Sequence, residues 1–125
     1  MEMIIGGAWQ GKTAVAKKRF PEIEWQSGEA LTREGLMKAQ GVLGFHLFLR
    51  KELERGNALD TLARELIEKN PTVILVSDEV GYGVVPMDAF DRSYREAVGR
   101  VCTELAAFSG RVTRVFCGIC TDIKG

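Results

Sequence analysis

Gly6-Gly7-Ala8-Trp9-Gln10-Gly11-Lys12-Thr13 follows directly on an apolar run at residues 3–5. These eight residues fit G-x-x-x-x-G-K-[S/T], the phosphate-binding loop, whose backbone N–H groups turn inward around a polyphosphate. Glycines let the backbone fold tightly and approach a ligand with no Cβ in the way. Lys12 is placed to reach the β- and γ-phosphates, and the Thr13 hydroxyl to sit on Mg²⁺. A helix starting near Gly11 presents the positive end of its dipole to the anion. The alternative is a glycine-rich strand-to-helix turn with no ligand. A strand before the motif and a helix after it are what separate the two readings, and both are legible.

Residues 3–5 read as a central parallel strand buried on both faces. Residues 12–19 read as a helix with basic residues in its last turn, stopped by Pro21. Residues 23–26 alternate as a short strand. A long helix is expected from about Thr32 to Arg55, with Leu36, Leu43 and Leu47 among its apolar members and Gly56 closing it. A second helix carries Leu59, Leu62, Ala63, Leu66 and Ile67 at i, i+3, i+4, i+7 and i+8. Residues 72–77 form the clearest strand and end in Asp78-Glu79, at the carboxyl edge where open parallel sheets bind ligands. A glycine-punctuated loop occupies residues 80–86. A long helix from Asp88 repeats Phe90, Tyr94, Val98, Val101, Leu105 and Phe108 on one face. A last strand spans residues 111–119. This order gives an α/β fold: a three-layer P-loop NTPase-like domain with a small, mostly parallel sheet flanked by helices. Residues 1–125 are expected to form one nucleotide-binding domain.

Composition narrows the function. The chain has 17 basic and 17 acidic residues, so no charge excess points to nucleic acid or an anionic membrane. No apolar run reaches the length of a membrane span, and no basic-then-apolar leader opens the chain, so a cytoplasmic protein is expected. Three cysteines give no disulfide framework. Cys117 and Cys120 form a lone C-x-x-C whose spacing sends the side chains to opposite faces of a strand, which disfavours zinc. Buried or half-buried thiols are the reading.

An apolar strand ending in acids is what a P-loop protein needs to hold Mg²⁺ or orient a nucleophile. Asp78 and Glu79 point to opposite sides if the strand continues, so one of them faces the nucleotide. Arg92, Arg95 and Arg100 follow on the late helix, where arginines could bind phosphates bidentately or form a solvated face. His46, the single histidine, reads as a packing residue in mid-helix rather than a catalytic one. Trp9, inside the loop, could stack on a base or another planar ligand, or pack against a second subunit.

The loop at residues 6–13, Ser77-Asp-Glu-Val-Gly-Tyr-Gly-Val-Val-Pro86 and Tyr94-Arg-Glu-Ala-Val-Gly-Arg100 occur in that order. Together they resemble the bifunctional adenosylcobinamide kinase/adenosylcobinamide-phosphate guanylyltransferase family of cobalamin biosynthesis, with its G-G-A-R-S-G-K-S loop, N-E-V-G-x-G-x-V-P segment and F-R-D-x-x-G-R-x-N-Q helix. Trp25-Gln-Ser-Gly-Glu29 is similar to that family's W-x-T-x-E. The resemblance implies ATP or GTP with Mg²⁺ as ligands and adenosylcobinamide, a corrinoid, as acceptor. It also implies a homo-oligomer, by family a trimer. Gly6, Gly7, Ala8, Trp9, Gln10, Gly11, Lys12, Thr13 and Arg95 become the candidate nucleotide contacts. Lys12 and Glu79 become the candidate catalytic residues, and Thr13 and Glu79 the Mg²⁺ ligands.

The sequence departs from that pattern where chemistry would follow. The segment that carries the GMP-accepting histidine is missing between Arg19 and Trp25. No strand ending in an acid and a cysteine is legible after residue 29, where Ala39-Gln40 stand instead. Trp9-Gln10 replace Arg-Ser, and Cys102-Thr103 replace Asn-Gln. Covalent guanylyl transfer needs a nucleophile, whereas phosphoryl transfer rests on positioning and charge neutralisation. The expectation is therefore a kinase with doubtful guanylyltransferase activity, or a nucleotide-binding assembly protein without turnover.

Overall fold

The computed structural model describes residues 1–79 and 88–125. The loop read at residues 80–86 lies outside the described residues. Six strands form one sheet in the order β2-β3-β4-β1-β5-β6. The first five, β1 (Glu2–Gly6), β2 (Trp25–Ser27), β3 (Gly41–Leu43), β4 (Ile74–Asp78) and β5 (Arg111–Phe116), are mutually parallel. β6 (Ile119–Lys124) returns antiparallel along β5.

Alternation along the strands sorts side chains to two unequal faces. Ile4, Val76 and Val115 meet Ala16 of α1 (Lys12–Arg19) in a small cluster on one face. On the other face Met3, Val42, Leu75 and Val112 meet three helices: α3 (Phe45–Glu54), α4 (Leu62–Lys69) and α5 (Ala89–Phe108). Phe45, Phe48, Leu49, Leu62, Leu66 and Leu105 are buried there, each contributing on the order of 1.5–3 kcal/mol of transfer free energy. The architecture is the expected three-layer α/β fold. β1 and β4 pair from Glu2↔Ile74 to Gly6↔Asp78, which sets the phosphate loop beside the end of β4.

Three expectations are corrected. The long helix at residues 32–55 is instead a short α2 (Arg33–Leu36), the parallel strand β3 and then α3. Thr32 caps α2 by accepting the Gly35 N–H, and Gly44, at φ 73, turns the chain sharply out of β3 into α3. A strand thus does follow residue 29, but Gly44 and Phe45 stand at its carboxyl end where an acid and a cysteine were sought. The final strand is a hairpin rather than one strand, turned by Cys117 and Gly118 at φ 50 and 75. Cys117 and Cys120 are consequently exposed, not buried, while Cys102 on α5 is half-buried.

Candidate functional site: a phosphate cradle closed by a lysine–aspartate pair

All parallel strands end at one edge, so the segments that follow β1, β3, β4 and β5 converge there. Gly6 begins the loop, and its glycine is needed because a Cβ would collide with the Val115 carbonyl of the neighbouring strand. The Glu79 N–H donates to the Gly6 carbonyl at 2.7 Å and ties the two strand ends together. From β5, the Cys117 N–H donates to Gln10 Oε1 at 2.6 Å and the Gly118 N–H to the Gln10 carbonyl at 2.9 Å. Gln10 is therefore occupied in holding the hairpin turn against the loop.

Lys12, the first residue of α1, is 8% exposed and folds back into the loop. Its Nζ donates to the Gly7 carbonyl at 2.7 Å and lies 2.6 Å from Asp78 Oδ1. His46, second residue of α3, approaches the same carboxylate from β3's end: its Nε2 lies 3.3 Å from Asp78 Oδ2, and its Nδ1 accepts the Asp78 N–H at 3.0 Å. Burial lowers the His46 pKa and Lys12 lowers it further, against the pull of Asp78 in the opposite direction. Tyr94 of α5 steadies this end of α3 by donating to the His46 carbonyl at 3.3 Å. Burial raises its hydroxyl to about 12, so it stays protonated.

A cavity of about 520 Å³ opens above this cluster, lined by Ala8, Trp9, Gly11, Lys12 and Thr13 of the loop, Gly44, His46 and Leu47 of α3's start, and Val76 and Asp78 of β4. Trp9 is fully exposed at its rim. Its φ of 64 costs a bulky residue roughly 1–2 kcal/mol. The cavity wall is cationic and hydrogen-bond-rich near α1 and apolar near Leu47 and Val76, a layout that suits a polyphosphate joined to a less polar group.

Asp78 and Glu79 do point to opposite sides, and Asp78 is the one beside Lys12. Glu79, favoured in the sequence, turns away to Arg114 of β5, whose Nη2 donates to Glu79 Oε2 at 3.0 Å. Glu79, Arg114, Gly7 and Gln10 line a separate cavity of about 160 Å³ behind the loop. Arg95 is half-buried on α5 and is not among the residues lining either cavity. His46 is the residue that sequence reasoning missed: it stands at the start of α3 in the site, not mid-helix in the core. The available signal was its position two residues after a glycine that ends a parallel strand, because such ends face the ligand edge. Among the described residues, no group of three or more His, Cys, Asp or Glu side chains could hold a metal ion by themselves.

A parallel sheet with G-x-x-x-x-G-K-T between β1 and α1, and a strand-end carboxylate facing its lysine, defines a P-loop NTPase-like protein. The model of the cobinamide kinase / cobinamide phosphate guanyltransferase family matches residues 35–123. The chain belongs to that family. Its phosphate loop lies ahead of the matched residues and stands on its own motif and geometry. Two relatives are the bifunctional adenosylcobalamin biosynthesis proteins CobU of Escherichia coli (strain K12) and Salmonella typhimurium (strain LT2). Each is 44% identical to this chain over 52 residues, which is 42% of this chain and 29% of the relative. The matched stretch thus spans under a third of each relative's length. Among the described residues, no helix is long and apolar enough to cross a membrane.

Proposed function

We propose that this chain is a nucleotide-dependent kinase of the cobinamide kinase type. It transfers the γ-phosphoryl group of ATP or GTP to the hydroxyl on the aminopropanol arm of adenosylcobinamide. The observation that carries this reading is the pair of Lys12 from the loop and the half-buried Asp78 at the end of β4, 2.6 Å apart in a cavity also lined by Thr13 and Leu47. Family membership supports the substrate class.

In this reading the loop N–H groups and the α1 N-terminus bind the polyphosphate, and Lys12 leaves Asp78 to neutralise the β/γ-phosphates. Hard oxygen donors suit Mg²⁺, and the Thr13 hydroxyl and Asp78 carboxylate, which line one cavity, fit that role. Magnesium there would neutralise charge on the phosphates. Glu79, held by Arg114 beside Gly7, would steady the rear of the loop rather than touch the cation. Arg95 would take part only if the acceptor or the nucleotide reaches α5. Guanylyl transfer is not part of the proposal, because the segment that carries the family's GMP-accepting histidine is missing between Arg19 and Trp25, and His46, whose Nδ1 accepts the Asp78 N–H, lies after that tryptophan and is not its counterpart.

One observation favours the second reading, a binding or assembly protein without turnover: Gln10, standing where the family has serine, is engaged with the hairpin turn. The proposed homo-oligomer, a trimer by resemblance, is supported by the exposed edge strand β6, which carries Ile119 and Ile123, and by exposed Phe116 at the end of β5. The test is a thermal-shift screen of Mg²⁺-ATP and Mg²⁺-GTP with and without corrinoids, followed by product analysis. Nucleotide-dependent stabilisation with a phosphorylated corrinoid supports the kinase. Stabilisation without product supports the second reading, and the absence of any nucleotide response refutes both.

A further inference from the structure

The start of α3 brings two features to the phosphate cavity. Gly44, His46 and Leu47 line it, and the helix begins there with no capping side chain and no acidic residue in its first turn. Its positive dipole end is therefore left for an anion, as at α1. His46 adds a directed group. Its Nδ1 accepts the Asp78 N–H at 3.0 Å, so the ring is neutral and its hydrogen sits on Nε2. A ring that accepts from the Asp78 backbone turns its other N–H away from that residue. Asp78 Oδ2, 3.3 Å from Nε2, stands beside this N–H and does not accept it, and no other acceptor meets it among the described residues. The ring is also fixed: its side chain is 12% exposed, and the Tyr94 hydroxyl donates to the His46 carbonyl at 3.3 Å. A held, largely buried donor with no protein acceptor points to a ligand that supplies one.

Lys12 indicates which ligand atom that is. Its Nζ lies 2.6 Å from Oδ1 of the same carboxylate whose Oδ2 adjoins Nε2. A phosphate that draws Nζ away from Asp78 thus arrives beside the imidazole as well. We propose that His46 is a ligand-binding residue whose Nε2–H donates to an oxygen of the terminal phosphate of the bound nucleoside triphosphate. Lys12 neutralises charge on the phosphates, while the neutral ring orients the terminal group and leaves the Asp78 carboxylate to the cation assigned to it above. Affinity for a triphosphate then depends on His46, and affinity for a diphosphate does not. This inference rests on the phosphate-loop reading above.

Calorimetry with Mg²⁺-ATP and Mg²⁺-ADP, beside melting temperatures, separates this role from packing. His46→Asn keeps an acceptor for the Asp78 N–H and removes the donor at Nε2. It is expected to bind ATP about ten- to a hundredfold more weakly than wild type, as for a lost hydrogen bond to a charged group, and ADP within about threefold. His46→Gln returns an N–H near Nε2 but takes the acceptor from the Asp78 N–H. It is expected to melt lower yet bind ATP within about threefold of wild type. Wild-type ATP affinity in His46→Asn, equal losses for ATP and ADP, or ATP binding as weak in His46→Gln as in His46→Asn overturns the inference and leaves the phosphate-loop reading standing. Should either variant fail to fold, ¹⁵N NMR of the wild type's single histidine decides. A protonated Nε2 that shifts with Mg²⁺-ATP and not with Mg²⁺-ADP supports the inference; a ring that responds equally to both, or to neither, overturns it. A wild type that binds neither nucleotide removes the phosphate-loop reading and this inference together.

Discussion

Replacing Asp78 by Asn tests the heart of the site, because it removes the charge but almost none of the volume. Lys12 and Asp78 have side chains 9% and 27% exposed, so the variant leaves a largely buried ammonium group with neutral oxygen acceptors in place of its carboxylate partner. Breaking a fully buried pair costs about 3–5 kcal/mol, and partial exposure of Asp78 reduces this to about 1–3 kcal/mol. With an unfolding entropy of about 2.1 cal/mol/K per residue, 125 residues give roughly 0.26 kcal/mol/K. A loss of about 2 kcal/mol then lowers the melting temperature by about 8 °C. The assay is urea unfolding of wild type, Asp78→Asn, Lys12→Met and the double variant. The double variant should recover part of the loss, with a coupling of about 1–2 kcal/mol. Magnesium-free ATP should bind Asp78→Asn more tightly than wild type, because Lys12 is already released, while the gain on adding Mg²⁺ should shrink. An unchanged melting temperature together with zero coupling would refute the claim that this pair holds the empty loop closed.

Three further outcomes are expected. Gly6→Ala drives a Cβ into the Val115 carbonyl and should cost more than about 2 kcal/mol in denaturant unfolding, since neither backbone can yield cheaply. Trp9→Gly should leave stability unchanged or raise it by up to about 1 kcal/mol, because the strained, fully exposed indole packs on nothing that its loss would uncover; ligand-induced changes in tryptophan emission should largely vanish with it, leaving those of Trp25. Ellman's reagent at pH 8 should label two thiols quickly and one slowly. Cys117 and Cys120 are exposed, whereas burial pushes Cys102 up to about 11, leaving roughly one part in a thousand as thiolate. Raising the pH should accelerate the slow thiol until it ionises; three equal rates would contradict the burial of Cys102.

What the sequence disclosed depended on whether an element's pattern reported its surroundings. β1, α1, β4, α4 and α5 were legible because each carries a run or period that matches one partner layer. Of the apolar positions of α4, Leu62, Ala63 and Leu66 are buried and Ile67 packs half-buried against the same core, as their spacing requires. β3 was not legible, because three residues of a parallel strand are too few to set a period, and Leu36, Leu43 and Leu47 around it mimic a helical stripe. The left-handed turn at Gly44 was the physical mark that separated strand from helix. β6 was hidden for another reason: all six of its residues are exposed, so no alternation reports a core. The loop at residues 6–13 is legible as a motif, and it joins β1 to α1 as the strand and helix expected on either side require. Which of Asp78 and Glu79 lies beside Lys12 depends on strand phase at the end of β4, which the contacts of Asp78 with Lys12 and of Glu79 with Arg114 show and the letters do not. His46 is not legible as a site residue because its place depends on β3, whose letters continue a helical stripe.

The most direct test of the central claim follows labelled γ-phosphate from Mg²⁺-ATP or Mg²⁺-GTP into adenosylcobinamide, comparing the wild type with Lys12→Ala. The account predicts a labelled corrinoid with wild type and a loss of at least about a hundredfold with the variant, as when a principal charge-stabilising group is removed. Equal transfer by the two proteins, or none by either with every nucleotide and corrinoid supplied, would contradict it.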